Sequence, residues 1–253
     1  MIVYGYGYDY DDQGDNWGCI SSLSPINVDL NPVEILEADE NYWYIDVKDY
    51  GDTDTDFMAY IKEKVYLTLN RTESGTLRKM KNDNSTIATY NLEEIRFHAP
   101  SEHYIGGNQS DLEVQLYHTS SENNPLILSV LFNEISSSDY RMKFFSDIEG
   151  TLENEKSTDK ANPIDVTGGY YKIKTFYNYN GTDTIPDCNN TEWIIFGEVL
   201  NLYKNHFEVI SNLLVKNFKK ISIIDNTTVH YHYADISFST IISIGFLSLF
   251  LVS

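Results

Sequence analysis

Six histidines and two cysteines limit the side-chain chemistry open to this chain. His230 and His232 stand two apart, the spacing that turns two imidazoles to one side of a strand, but they sit in a polar stretch and are expected to be solvated. His98 and His118 fall in alternating apolar runs, where a histidine is more often a hydrogen-bonded core residue than a metal ligand. Asp9, Asp11, Asp12 and Asp15 crowd four carboxylates together without the regular loop of a calcium motif, so a solvated acidic arm is expected. Cys19 and Cys188 are too few and too far apart for a zinc ribbon; two buried thiols and one long-range disulfide both stay open. Six Asn-x-Ser/Thr sequons start at Asn70, Asn84, Asn108, Asn180, Asn189 and Asn226 and point toward a secreted chain.

The elements that must position these residues are short. Between Asp29 and the tail run alternating segments such as Lys64–Leu69, Thr86–Tyr90, Glu93–His98, Leu112–His118, Leu126–Phe132, Tyr170–Phe176 and Trp193–Phe196. Turn clusters (NRTESG, KNDNST, GGNQSD, SSENNP, NYNGTD) separate them. Glu198–Val215 reads as a helix with Leu200, Phe207, Ile210 and Leu213 or Leu214 on one side, and Ser136–Ile148 as a weaker one. The Tyr/Gly/Asp-rich stretch Tyr4–Asp15 is expected to lie over the domain as an extended arm. In 253 residues this predicts one mostly β domain over 1–225, followed by a spacer and hydrophobic tail over 226–253.

Composition narrows the partners. With 38 Asp+Glu against 18 Lys+Arg the formal net charge is −20. No basic patch is available to displace counterions from phosphates, which excludes nucleic acid, and docking by charge on an anionic leaflet is excluded likewise. A surface ligand (a protein, a glycan or a small anion) remains as the unnamed partner. The opening MIVYGYGYDYDD has neither the basic nor the apolar region of a signal peptide. Phe238–Ser253 is uncharged and short of the ~20 residues a spanning helix needs. A small-residue cluster at Asp225–Thr228, a polar spacer and that tail form the pattern of a GPI-attachment signal with Asn226 as lipidation candidate; a short tail anchor and a buried last strand are the alternatives. The expected location is the outer face of the cell membrane.

Segments in register along the chain resemble the α-class carbonic anhydrases. Trp17 to Cys19 followed by Ser24-Pro25-Ile26-Asn27 resembles that family's entry segment. Ile95-Arg96-Phe97-His98-Ala99-Pro100-Ser101-Glu102-His103 resembles its F-H-F-H-x-P-S-E-H strand, and Leu112-Glu113-Val114-Gln115-Leu116-Tyr117-His118 its partner strand L-E-x-H-x-V-H. Tyr179 to Cys188, with Trp193 after it, resembles Y-x-G-S-L-T-T-P-P-C, and Asn217-Phe218-Lys219-Lys220 the closing strand. The resemblance spans about residues 8–225. It implies a mostly β fold with a central twisted, largely antiparallel sheet of about ten strands and short peripheral helices. It also implies a Cys19–Cys188 disulfide, which would stabilise by roughly 4–5 kcal/mol in the chain-entropy picture.

The same resemblance places the catalytic zinc and shows where the chain departs. The family's three histidine ligands correspond to Arg96, His98 and Gln115, of which only His98 is a ligand type. Arginine offers no lone pair and repels a cation; a glutamine oxygen is a poor substitute for imidazole. Without zinc no water is brought to a pKa near neutrality. Glu102 and Thr184 match the pair that orients the hydroxide, Glu113 matches the acid behind the third ligand, and His103 is kept. Asp183, Ile185 and Tyr117 replace the family's Leu, Thr and Val, and no histidine stands near Ser74–Leu77, where the proton shuttle belongs. The expectation is a non-catalytic, cofactor-free binding or structural domain; the alternative is an active zinc carbonate dehydratase with an unusual ligand set. Arg96 is expected to fill the vacated space and bond Glu113 or another nearby acid.

Overall fold

The computed structural model describes residues 10–19, 22–28, 34–36, 43–48, 57–62, 66–71, 75–146, 149, 172–212, 214, 216–222 and 228–232. Its centre is a mixed, mostly antiparallel sheet whose main path crosses ten strands. In spatial order these are Lys172–Ile173, Trp43–Lys48, Thr76–Lys81, Thr86–His98, Leu112–Ser120, Pro125–Ile135, Asn190–Phe196, Phe176–Thr182, His230–His232 and Glu34–Leu36. Leu200–Tyr203 extends the sheet beside Pro125–Ile135, and the pair Phe57–Lys62 and Tyr66–Arg71 joins it at Thr86–His98.

Strand alternation divides the middle of the sheet into two unlike faces. On one side Ile95, Phe97, Leu112, Val114, Leu116, Leu128, Val130 and Phe132 form a continuous apolar core, backed by Phe144, Phe145 and Ile210. Each such side chain contributes about 1.5–3 kcal/mol by leaving water, so this face carries most of the fold's stability. The intervening residues turn the other way: Arg96 and His98 from one strand, Glu113 and Gln115 from the next, Ser129 from the third. All five are buried, and a second apolar cluster of Ile26, Ile127, Leu131, Tyr179, Trp193 and Ile195 surrounds the face on which they lie.

Three sequence expectations are corrected. Glu198–Val215 is not one helix. Leu200–Tyr203 is a strand parallel to Phe132–Ile135, and the helix occupies Lys204–Ser211. Four more ladder partners, with Leu202 fully buried among them, outweigh four residues of helix propensity. Within Ser136–Ile148 the chain makes a 3₁₀ turn at Ser138–Tyr140 and helical residues 143–146, which bury Phe144 and Phe145; 147–148 lie outside the described residues. His230–His232 is no solvated spacer but a strand between Phe176–Thr182 and Glu34–Leu36, with His232 stacked on Phe176 at 4.2 Å. Its imidazole is buried beside Trp43 as well, so an aromatic slot takes the ring that polarity alone assigned to solvent.

The arm also differs. Residues 10–17 form successive tight turns, closed by Gln13 N–H to Tyr10, Asp15 N–H to Asp12 and Trp17 N–H to Gly14. Tyr10 is buried against Trp17 and His98, while Asp11, Asp12 and Asp15 stay exposed; Tyr4–Asp9 lie outside the described residues.

Candidate functional site

The register between Thr86–His98 and Leu112–Ser120 builds the site. Arg96 lies opposite Gln115, His98 opposite Glu113, and Glu94 opposite Tyr117, while Gln115 lies opposite Ser129 on the far side. Directly opposed residues share a face, so the three matched ligand positions converge, as their spacing predicts.

Glu113 is the best-supplied group of this face. Its Oε2 accepts the backbone N–H groups of Glu102 and His103, each at 2.8 Å. Its Oε1 accepts from His103 Nδ1 at 2.8 Å, Ser129 Oγ at 2.8 Å and Gln115 Nε2 at 3.1 Å. Burial pushes its pKa up, but the positive edge and hydrogen bond of His103 overcome that and bring it down to about 2. Behind it, His103 Nε2 meets Tyr179 Oη at 2.7 Å, and Tyr179 meets Ser24 Oγ at 2.9 Å. Burial holds the Tyr179 hydroxyl well above its ordinary pKa, so it stays protonated. Only glycine fits at position 181: a Cβ there would come within 2.2 Å of Ser24 Oγ and 2.6 Å of the Tyr179 ring.

Glu102 is held from two sides. Lys219 N–H donates to its Oε1 at 2.9 Å and Gln115 Nε2 to its Oε2 at 2.9 Å. His98 Nδ1 lies 2.7 Å from the Asn217 carbonyl, an acceptor only, so that nitrogen carries the proton. His98 Nε2, Gln115 Oε1 and Thr184 Oγ1, all buried, find no hydrogen-bond partner among the described residues.

Arg96 is almost fully buried. Its Nη1 donates to Asp183 Oδ1 at 2.8 Å, Nε lies 3.6 Å from Glu94 Oε1, and the guanidinium sits 4.7 Å over the Tyr117 ring. Glu113, the acid named first as its partner, is already engaged by five donors, so the cation goes to Asp183, which the sequence marked as a changed wall residue. These side chains do not fit the zinc that the resemblance implies. One imidazole, one amide oxygen and a guanidinium without lone pairs cannot complete a tetrahedral site. Among the described residues no group of three His, Cys, Asp or Glu is placed to hold a metal.

Around the rim, Cys19 and Cys188 are joined in a disulfide, Cα to Cα 5.8 Å. Asn84, Asn108, Asn180 and Asn189 are exposed; the side chain of Asn70 and the whole of Asn226 lie outside the described residues. His118 is fully buried, and burial pulls its pKa down to about 3. Glu94 and Ser129 escaped sequence reasoning. A lone serine inside Leu126-Ile127-Leu128-Ser129-Val130-Leu131-Phe132 is the signal that marks Ser129: a hydroxyl amid such a run needs a buried partner.

Known proteins share this fold. The family model for eukaryotic-type carbonic anhydrases matches residues 19–230. Alpha carbonic anhydrase 6 of Arabidopsis thaliana is 32% identical over 107 residues, 42% of this chain and 39% of its own. Dioscorin DB3S of Dioscorea polystachya is 32% identical over 115 residues, 44% and 41% of the two chains. The chain thus spans about two fifths of the length of the curated relatives it matches. Among solved structures, dioscorin complexed with ascorbate superposes with a TM-score of 0.70 at 20% identity, over 91% of this chain and 100% of that one. The α-carbonic anhydrase of Thermovibrio ammonificans, in complex with the inhibitor sulfanilamide, gives 0.66 at 19% identity over 89% and 99%. With that fold, that register and a family match across most of its length, the chain belongs to the eukaryotic-type carbonic anhydrase family.

Proposed function

We propose that this domain is a non-catalytic member of its family, a binding or structural module whose former metal centre is filled by the Arg96–Asp183 ion pair. The observation that carries the reading is the buried guanidinium at a ligand position, bonded at 2.8 Å to an acid on the opposite wall. A fixed positive charge there raises the energy of any dication nearby, and the remaining imidazole cannot offset it. Glu102 and Glu113 then serve as internal acceptors for the surrounding N–H groups rather than as orienters of a hydroxide. The ligand is a surface partner, protein, glycan or small anion; dioscorin, which shares the fold, has been seen with ascorbate.

The setting proposed is the outside of the cell membrane, with glycans on the exposed sequons and the apolar tail 238–253 as the anchor. Cleavage at Asn226 would strip His230–His232 from the sheet, so an uncleaved tail anchor is the attachment that keeps the sheet whole. A stopped-flow CO₂ hydration assay with a sulfonamide control tests the reading. The expected rate equals the buffer blank; sulfonamide-sensitive hydration would establish the active zinc alternative instead.

A further inference from the structure

The Cys19–Cys188 bridge and the side chain of Lys219 stand outside the reading given above. Cys19 and Cys188 are both half-buried residues joined by the bridge. Cys19 lines a pocket of about 370 Å³ together with Gly18, Ser22, Lys219, Lys220 and Ser222; Cys188 does not line it. Gly18 is exposed, and a Cβ built there meets nothing within 4 Å, which leaves the approach to Cys19 open. Lys219, which lines the same pocket, places its Nζ 3.8 Å from Cys188 Sγ. The ammonium is fixed there by Ser22 Oγ and by the Ser24 carbonyl at 3.0 Å, and almost none of the residue reaches solvent. The two sulfurs are therefore unequal: one faces an open pocket, and the other faces a fixed cation that stabilises it as a thiolate.

We propose that Cys19 is a thiol-modification site, at which a low-molecular-weight thiol displaces Cys188 and Lys219 selects the leaving sulfur. The incoming thiolate bonds Cys19 Sγ, the Sγ–Sγ bond breaks, and its electron pair leaves on Cys188 Sγ as a thiolate beside the ammonium. One disulfide is exchanged for another, so no outside oxidant or reductant is needed. A lower pKa in the leaving thiol speeds this step.

The exchange reaches the buried centre through the chain that follows Asp183. That segment is closed by Asp183 N–H to Asn189 O at 2.7 Å and Cys188 N–H to Ile185 O at 3.1 Å. It holds Asp187 at φ +81° and Cys188 at φ +41°, a backbone region that non-glycine residues enter at a cost. Release of Cys188 lets these residues relax and loosens the turn that presents Asp183 to Arg96.

The test is a trapping experiment on the oxidised, full-length chain with excess 2-mercaptoethanol, and in parallel glutathione, as probes. Acid quench, alkylation of free thiols and peptide mass mapping then locate the adduct. The expected result is the mixed disulfide on Cys19 and the alkyl label on Cys188; an adduct on Cys188, or an even split, overturns the proposal. Lys219→Met is expected to slow adduct formation on the order of tenfold, while Lys219→Arg rescues the rate and Lys204→Met, on the Lys204–Ser211 helix and outside the pocket lining, keeps the parent rate. An unchanged rate in a folded Lys219→Met removes the role of the lysine; if that variant does not fold, the adduct position in the parent still decides. Hydrogen exchange at 183–188 should quicken in the adduct, and unchanged protection there would refute the link to Arg96.

Discussion

Around Glu113 every oxygen is claimed several times over, whereas on the same face His98 Nε2, Gln115 Oε1 and Thr184 Oγ1 are left without partners among the described residues. The two regions share one sheet face and one sequence resemblance, yet they follow different rules. The Glu113 region draws its donors from its own strands and the adjoining turn, so its carboxylate is compensated whatever occupies the metal position. In the region of the matched ligands, where the family resemblance places a dication, a guanidinium is paired with Asp183. Buried charge that is balanced locally persists; buried charge balanced by an ion must be rebuilt once the ligand set changes.

The contrast can be broken most forcefully at Glu113. Glu113→Ala should cost about 5 kcal/mol in urea unfolding, because it strands His103, Ser129, Gln115 and two backbone N–H groups at once. A loss under about 2 kcal/mol would mean that water replaces the carboxylate, and the region is not self-contained. Arg96→Ala should cost about 3 kcal/mol, the low end for a buried pair that loses one partner. Adding Asp183→Asn to it should cost little more, since the acid is by then unpaired. Additive losses would show that Arg96 and Asp183 do not act as a unit.

Acid should separate the groups by pH. His118, buried and with its pKa down at about 3 against 6.5, binds its proton more readily in the unfolded chain. Its contribution is therefore whole above pH 6.5 and is lost as pH falls toward 3, amounting to about 2 kcal/mol by pH 5. His232, held down at about 4, acts in the same direction. Glu113, with its pKa lowered to about 2, adds stability that is complete above 4.5 and is lost only as pH falls toward 2. Urea midpoints followed from pH 7.5 to 3 should thus decline in the histidine range first, and His118→Gln should flatten that first decline. The smallest effect is expected from Ser129→Ala, which removes one of the donors to Glu113 and should cost about 1–2 kcal/mol.

Much of this was legible in the sequence, for reasons particular to each residue. Period-2 alternation, with antiparallel pairing of their two strands, put Arg96, His98 and Gln115 on one face, and the pairing bears that out. The Cys19–Cys188 bond followed from the family resemblance alone and is present. Segments whose fate depends on distant partners were not legible. Leu200–Tyr203 has helix-compatible residues and becomes a strand because Phe132–Ile135 offers it a ladder. His230–His232 looks polar and is drawn into the sheet by Trp43 and Phe176, far away in sequence. Arg96's choice of Asp183 over Glu113 rests on which donors reach Glu113 first, and Ser129 is known to be one only once its strand is paired.

The central claim, that Arg96 and Asp183 have replaced the metal, is tested most directly by zinc content. The purified parent domain and the Arg96→His/Gln115→His variant should be equilibrated with micromolar zinc, dialysed and analysed by atomic emission. Essentially no zinc is expected in the parent and close to one ion per chain in the variant, whose three imidazoles would complete the ligand set. Stoichiometric zinc retained by the parent would contradict the claim.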